Sequence, residues 1–382
     1  MKLLFLHRFR NFAGAERQLI ELANGLAAKG HEVVVVGFYA SPRVQALLDP
    51  ARVRFVSLEK SGRWDMLGFG WRLLRTLRRE RPDIAHGYLG LANALLVLTK
   101  PFHRARVVWG VRSSDIDVSR YGRLARFDAW IERTLARYPE LIISNSHAGR
   151  TTALQRGFPA DRTIVIPNGV DLVRFARDEA GREAVRAEWG VGAGIRVIGR
   201  VGRFDPQKDF ETLIQAAAIL GPDHPDYRFA IVGSDPHGNR AELTTLAQDL
   251  GLADRIIWNG IRDDMPAVYS AFDLCVSSSA YGEGVPNVIV EAMACGVPCV
   301  TTDVGDSART IARFGPVVPR SNPARLAIGI ATALAAPPNP DAMRQFVAET
   351  FAMDKLVAST ETALRSVIDG AVSVPHAEGA RA

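Results

Sequence analysis

Two doubly wound α/β domains are the fold class this sequence predicts, from three observations. The chain has 382 residues, more than one ordinary core holds and enough for two domains of roughly 150–200 residues each. Short runs of consecutive apolar residues alternate with amphipathic stretches, the pattern of parallel strands buried beneath helices on both faces. The composition is globular, with 47% hydrophobic and 23% charged residues, which excludes a wholly disordered chain.

The first strand is Leu3–Leu6. A glycine-bearing turn, Asn11-Phe12-Ala13-Gly14-Ala15-Glu16, leads into a helix over about 15–29, with Leu19, Leu22, Ala23 and Leu26 on one face and Gly30 as its stop. Val33–Val36 is a continuous apolar strand and completes a βαβ opening. Further strands are expected at Val53–Val56, Ile84–His86, Val107–Val111 and Leu141–Ser144, with helices at Trp64–Glu80, Leu89–Leu98 and Gly122–Tyr138 between them. Ile164–Asp171 (IVIPNGVD) reads as a strand and a Pro-Asn-Gly turn. A charged, Gly-containing stretch over 178–194 follows, so the interdomain link is placed between Pro167 and Gly194. A second alternation has strands at Val197–Val201, Phe229–Val232, Ile256–Trp258, Leu274–Ser277 and Cys299–Thr301. Its helices are Phe210–Leu220, Arg240–Leu250, Pro266–Ala271 and Pro286–Cys295. A final helix, Met353–Ile368, is expected to pack back across the first domain, and 370–382 (GAVSVPHAEGARA) is a loose tail.

The bulk properties narrow the function classes. The apolar run Met1–Phe5 ends at His7-Arg8, too short for a signal peptide. No apolar stretch approaches a membrane span. Cys275, Cys295 and Cys299 sit in apolar runs and read as free thiols in a reducing cytosol. Charge is uneven: residues 1–170 carry 27 Lys and Arg against 14 Asp and Glu, and the remainder 20 against 27. A basic first half points to an anionic partner.

Three stretches carry chemistry. Gly202-Arg203-Phe204-Asp205-Pro206-Gln207-Lys208-Asp209 joins a strand to a helix, at the carboxyl edge where open α/β sheets bind ligands. Arg203 and Lys208 can converge there on a diphosphate, the guanidinium bidentately and the ammonium as a point charge; the alternative is a solvated basic loop. Tyr281-Gly282-Glu283-Gly284-Val285-Pro286-Asn287 opens a helix, with Pro286 suited to its first turn and a positive dipole end offered to an anion. Glu283 and Glu291, eight apart, can grip a sugar nucleotide, and Glu291 is a carboxylate in an otherwise apolar helix. Ala13-Gly14-Ala15-Glu16-Arg17 opens the first helix but is not a Gly-x-Gly-x-x-Gly fingerprint, and no acidic residue ends the second strand, which disfavours an NAD site. His86 ends a strand, and Arg112-Ser113-Ser114-Asp115 ends another; Asp115 and Asp117 can meet acceptor hydroxyls. No His, Cys and Asp spacing resembles a metal site, and neither a nucleophile elbow nor a Walker loop occurs.

In order along roughly residues 3–310, four segments resemble the signature series of glycosyltransferase family 4. They are Ala13–Arg17, Ile164–Asp171, Gly202-Arg203…Lys208 and Glu283-x7-Glu291-Ala292-Met293-Ala294-Cys295-Gly296. Members are retaining enzymes of the GT-B fold, two facing Rossmann-like domains with a C-terminal crossover helix. The resemblance implies an acceptor-binding domain over 1–170, joined by a crossover helix at about 353–369, and a nucleotide-sugar domain over 171–352. It implies that Arg203 and Lys208 stabilise the leaving diphosphate without a metal or other cofactor, that Glu283 contacts the transferred sugar and that Glu291 holds the ribose. Gly202, Gly284, Val285, Pro286, Asn287 and Val288 would line the sugar-phosphate site, Ile261-Arg262 would read the base edge, and Gly14 would let the first domain's loop close on the phosphate. Many members carry a His where this chain has Arg112-Ser113-Ser114-Asp115, so no catalytic His is assigned; His86, Arg112 and Asp115 are acceptor-side candidates, and Arg112 can alternatively support the leaving phosphate. Closure of the domains would exclude water.

The expected reaction moves a sugar from a UDP- or GDP-sugar to a glycan or lipid-linked acceptor of the cell envelope, polysaccharide or lipopolysaccharide. Trp71–Arg81 holds five arginines in eleven residues, and Tyr121–Tyr138 is a second Arg-rich amphipathic segment. Such stretches suit an anionic membrane surface or a solvated helix face, so the location expected is cytoplasmic and peripheral at the inner membrane. A sugar-nucleotide epimerase of the same fold is the alternative. A nucleic-acid-binding protein would explain the basic half but not Arg203, Lys208, Glu283 and Glu291, so no nucleic acid is expected.

Overall fold

The computed structural model describes residues 1–9, 14–62, 64–112 and 130–371. The chain forms two compact units, Met1–Gly169 with Met353–Ala382, and Val170–Ala352.

The first unit runs β1 (Lys2–His7), α1 (Gly14–Ala28), β2 (Glu32–Gly37), α2 (Pro42–Leu47), β3 (Val53–Ser57), α3 (Met66–Glu80), β4 (Ile84–Tyr88), α4 (Gly90–Thr99), β5 (Arg106–Val111), β6 (Leu141–Ser144), α5 (His147–Gln155) and β7 (Thr163–Val165). Residues 130–135 are also helical. The seven strands lie in the order β3-β2-β1-β4-β5-β6-β7, with every pairing parallel. Alternate residues of β1 and β2 feed two cores. Leu3, Phe5, Val33 and Val35 pack on one face, and Leu4, Leu6, Val34 and Val36 on the other. This double burial is why these strands are apolar throughout, and each such side chain contributes about 1.5–3 kcal/mol.

The second unit runs α6 (Glu179–Glu188), β8 (Arg196–Val201), α7 (Phe210–Leu220), β9 (Tyr227–Val232), α8 (Arg240–Asp249), β10 (Ile256–Asn259), α9 (Met265–Ala271), β11 (Leu274–Ser277), α10 (Asn287–Ala294), β12 (Cys299–Thr302), α11 (Ser307–Ile311), β13 (Val317–Val318), α12 (Pro323–Ala335) and α13 (Pro340–Phe351). Its six parallel strands follow the order β10-β9-β8-β11-β12-β13. The three cysteines are buried free thiols.

The last helix, α14 (Met353–Ile368), belongs to the first unit. Its Leu356, Val357, Leu364 and Val367 join the core beneath α1. Lys29, His31 and Arg365 all bind the Glu361 carboxylate, at 2.8, 3.1 and 2.8 Å. Gln18 of α1 grips the Pro-Asn-Gly turn, donating to Gly169 O at 2.7 Å and accepting from Gly169 N at 2.9 Å.

The structure corrects several expectations. The boundary between the units, Gly169 to Val170, falls within the interval expected for the link, but the stretch over 178–194 belongs to the second unit: it holds α6, whose Arg182 and Arg186 bind Asp273. Strand β4 extends two residues past His86, which therefore lies inside the strand and not at its end. Helix α3 starts at Met66, not Trp64, and Asp65 before it is held by Arg72 and by Ser61 N. Pro286 caps α10 from outside instead of sitting in its first turn. The expected helix over 122–138 lies partly outside the described residues, as do Ala13, Ser113, Ser114, Asp115, Asp117 and most of the tail.

Candidate active site

In an open parallel sheet, the loops that leave the strand ends part where the strand order reverses, and a ligand fits between them. In the second unit that point lies between β8 and β11. The loops leaving these strands are Gly202–Asp209, singled out from the sequence, and Ser278–Pro286, which holds most of the second such stretch, Tyr281–Asn287.

Local rules fix the first loop. Asp205 accepts from Gln207 N at 3.0 Å and shapes the 3-10 turn Pro206–Lys208. Asp209 adopts a left-handed backbone, φ 47°, and caps α7 by accepting from Thr212 N at 3.1 Å. Lys208 is therefore held between two aspartate caps. The second loop is tied to the first: Ala280 N donates to Gln207 O at 2.9 Å, and Ser278 Oγ donates to Lys208 O at 3.0 Å. Gly282 turns the chain beside Gln207 with φ 76°, a conformation that favours glycine.

The two loops meet at one ion pair. Lys208 Nζ lies 2.5 Å from Glu283 Oε1, and Ser279 Oγ donates to the same oxygen at 2.6 Å. Glu283 is buried. Burial opposes its ionisation, but the Lys208 ammonium, the Ser279 hydroxyl and the Arg200 charge together hold its carboxyl below the usual range. Arg203 projects from the same loop with Nη2 3.3 Å from Asp205 Oδ2, and its buried Nε has no partner among the described residues. The structure thus joins Lys208 to Glu283 and leaves Arg203 beside Asp205.

The remaining donor-side candidates make contacts of their own. Glu291 on α10 accepts from Tyr269 Oη at 2.8 Å, with α10's apolar face, Ile289, Val290, Ala292 and Met293, buried. Gly202 N is committed to Val232 O at 2.9 Å, and Gly284 O accepts from Asp306 N at 3.1 Å. Val285 is buried, while Asn287 and Val288 are half-buried in the first turn of α10. Ile261 is 63% exposed. The Arg262 guanidinium is taken by Asp264 at 2.7 Å and Glu188 at 2.6 Å, which leaves the Ile261 side chain and the backbone of this segment to meet a base.

In the first unit the strand order reverses between β1 and β4. His7 ends β1 with its ring buried. Its Nδ1 accepts from Phe9 N at 2.8 Å, its Nε2 lies 3.5 Å from Glu16 Oε1, and burial lowers its pKa to about 4. Glu16 and Gly14 stand in the first turn of α1. His86 is fully enclosed between Phe5 and Tyr88, and burial, reinforced by the nearby Arg112 charge, keeps it neutral. Both its ring nitrogens, the Tyr88 hydroxyl and Arg112 Nε are buried without hydrogen-bond partners among the described residues. The Arg112 guanidinium lies 4.1 Å over the Tyr88 ring. A neutral, enclosed His86 is a poor proton carrier, whereas Tyr88 and Arg112 lie nearer the strand ends.

Three residues of this region escaped the sequence reading: Arg200, Ser279 and Tyr269. Arg200 carries a signal, since an arginine inside the buried run Val197–Val201 demands a reason. Tyr269 carries none, because its bond to Glu291 spans 22 residues. Among the described residues no group of three His, Cys, Asp or Glu side chains is placed to hold a metal ion.

Residues 12–174 match the family described as Glycosyltransferase Family 4, and residues 195–336 match Glycosyl transferases group 1. The chain is 30% identical over 350 residues to the 2-deoxystreptamine N-acetyl-D-glucosaminyltransferase of Streptomyces fradiae, covering 83% of this chain and 82% of that protein. It is 33% identical over 220 residues to the D-inositol 3-phosphate glycosyltransferase of Mycolicibacterium gilvum, covering 56% of this chain and 45% of that protein. Among solved structures, Anabaena HepE in complex with UDP-glucose matches with a TM-score of 0.85 at 25% identity, over 96% of this chain and 100% of that one. Sucrose-phosphate synthase from Thermosynechococcus elongatus matches with a TM-score of 0.80 at 22% identity, over 97% and 99%.

Proposed function

Because the chain belongs to the family 4 glycosyltransferases, enzymes of the GT-B fold that use nucleotide sugars, we propose that it moves a sugar from a UDP- or GDP-sugar, with retention, to a glycan or lipid-linked acceptor of the cell envelope. The observation that carries the donor site is the Lys208–Glu283 pair, which joins the two loops at the strand-order reversal of the second unit. In this reading Lys208 and Arg203 bind the diphosphate. As the bond from the sugar's anomeric carbon to the phosphate oxygen breaks, negative charge grows on the leaving nucleotide, and the two cations stabilise it without a metal. Glu283 meets the transferred sugar, Glu291 the ribose, and the Ile261-Arg262 backbone the base edge. UDP is the first nucleotide to try, since HepE holds UDP-glucose. A thermal-shift screen of UDP-, GDP- and ADP-sugars in EDTA tests the donor site. A rise with one nucleotide class supports the reading, and no rise with any contradicts it.

The lipid-linked acceptor and a place at the inner membrane surface rest on α3. Trp64, Leu67 and Trp71 are 89%, 92% and 60% exposed. Arg75, Arg78 and Arg79 are exposed beside them, and Trp71, Leu74 and these arginines line a hollow of about 430 Å³. Exposed indoles among arginines suit anionic headgroups. Among the described residues no helix is long and apolar enough to cross a membrane. The second acceptor reading is a small water-soluble cyclitol, favoured by the names of the S. fradiae and M. gilvum relatives. Flotation with anionic and neutral liposomes separates the two. Preference for anionic vesicles, lost in Trp71→Ser with Arg75→Glu, supports the membrane acceptor, and equal or no binding supports the cyclitol.

A further inference from the structure

The carboxyl ends of β4 and β5 hold buried polar groups that the donor site does not use. Tyr88 closes β4, and Arg112 follows β5. The Tyr88 side chain is buried, and the Arg112 guanidinium lies 4.1 Å over its ring. The Tyr88 hydroxyl and Arg112 Nε have no hydrogen-bond partner among the described residues, and neither do the ring nitrogens of His86, whose ring stands 5.1 Å from that of Tyr88. Arg112 pairs with no carboxylate among the described residues. Burial pushes the Tyr88 hydroxyl above its ordinary pKa, against the pull of the Arg112 charge, so it keeps its proton and is a donor. Orphaned buried groups of this kind call for an explanation.

Loose packing does not explain them. Asn93 of α4 laces the two strand ends together, donating to Gly110 O at 3.1 Å and accepting from Gly110 N at 3.3 Å. Leu89 N donates to the same carbonyl at 3.2 Å. A Cβ on Gly87 would lie 2.6 Å from Asn93 Oδ1, and one on Gly110 would lie 3.0 Å from Gly87 O. Between Tyr88 and α4, Leu89 has φ 71° and ψ 158°, a region that glycine alone normally occupies. Such strain persists only where the surroundings over-determine it, and it collects at ligand clamps. The fold therefore fixes Tyr88 and Arg112 in place while their polar groups lack a partner.

The chemistry of the pair specifies that partner. Arg112 offers Nε–H and Nη–H donors in a planar fork with a permanent positive charge, and Tyr88 adds an O–H beside them. His86 is held neutral by burial and by the Arg112 charge, so Arg112 supplies the charge of the cluster. A sugar hydroxyl would leave that charge uncompensated. A phosphate group compensates it and presents three acceptor oxygens to the three kinds of donor, where a carboxylate has two. We propose, on the transferase reading above, that Tyr88 and Arg112 bind a phosphate group carried by the acceptor, so that the acceptor is a phosphorylated molecule. A lipid headgroup and a water-soluble phosphorylated polyol share this chemistry.

The test uses the whole chain saturated with UDP, which fills the donor site on that reading. Phosphorus NMR follows inorganic phosphate, glycerol 3-phosphate and dihexanoyl phosphatidic acid as protein is added. Wild type is expected to bind each of them saturably. Arg112→Gln is expected to weaken that binding by about tenfold and Tyr88→Phe by roughly fivefold, with UDP-glucose affinity unchanged in both. Arg112→Lys keeps the charge without the fork and is expected to fall between wild type and Arg112→Gln. Glycerol 3-phosphate and the phosphatidic acid share one phosphate monoester and differ in the acyl chains. Tighter binding of the lipid supports the site with a membrane acceptor, and equal or weaker binding supports it with a soluble one. No saturable binding by wild type, or equal affinity in wild type and either Arg112→Gln or Tyr88→Phe, would overturn the proposal and leave the cluster to internal water. A loss of UDP-glucose affinity in Arg112→Gln would overturn it too, by giving this cation to the donor's diphosphate. If Arg112→Gln does not fold, Arg112→Lys and Tyr88→Phe decide the matter. Failure of wild type to bind UDP-glucose would instead overturn the donor site, and the same phosphate titrations without UDP would still read Arg112.

Discussion

Glu291 sits in a largely apolar helix of the candidate site, and its bond to the Tyr269 hydroxyl explains how a carboxylate is tolerated there. On the proposed reading, in which Glu291 meets the ribose, the tyrosine would orient the carboxylate while satisfying one of its lone pairs. Tyr269→Phe should therefore weaken nucleotide-sugar binding by about tenfold, the size of one hydrogen bond to a charged group, with little change in thermal midpoint. An unchanged dissociation constant in calorimetry would show that the tyrosine does not orient Glu291. His7 gives a second expectation, in stability. Its folded pKa, about 4, lies below the ordinary value of 6.5. The unfolded chain thus takes the proton first as pH falls. Stability is complete above pH 6.5, declines between 6.5 and 4, and levels off below, a loss of about 3 kcal/mol at most. In His7→Asn, which keeps an acceptor for Phe9 N, the thermal midpoint should fall less steeply over that range. Identical slopes in the two proteins would refute this. Arg203, Lys208, Glu283 and Glu291 were legible in the sequence because short segments with fixed spacing carry them. Tyr269 was not, because its bond to Glu291 spans 22 residues, and Arg200 showed only as a charge inside an apolar run, with its partner Ser279 79 residues away.

Strands and helices divide the same way. The parallel strands were readable because burial on both faces leaves an unbroken apolar run. Helix α6 was missed because Gly181 and a dense set of charges resemble a linker. Helices α12 and α13 went unread although each announces itself with an asparagine cap followed by proline, Asn322-Pro323 and Asn339-Pro340. No spacing in the chain reveals how tightly β8 approaches its neighbour. A Cβ on Gly199 would lie 2.2 Å from the Phe272 ring, and no substituent fits without displacing it. Gly199→Ala should cost about 1–3 kcal/mol by overpacking and, because β8 carries Arg200 and the phosphate loop, should weaken nucleotide-sugar binding as well. A variant with wild-type thermal midpoint would mean that Phe272 yields easily.

Across the whole chain the two units repeat one architecture with opposite charge. The first unit, 1–169 with 353–382, carries 30 Lys and Arg against 18 Asp and Glu, and the second 17 against 23, which accords with the anionic surface or acceptor proposed for the first. The second unit, by contrast, confines its key cations to one sheet edge, where Lys208 and Arg203 stand beside acidic partners that a diphosphate would displace. The fold class was visible in the strand-helix alternation; the acceptor was not, because no residue spacing in the chain encodes the shape of a substrate. Calorimetric titration of UDP-glucose into wild type and Glu291→Ala, with EDTA present, tests the central claim most directly. Saturable one-to-one binding by wild type, weakened at least about tenfold in the variant, is the result expected for a metal-independent donor site at this sheet edge. Equal affinity in both proteins, or binding that vanishes with EDTA, would contradict it.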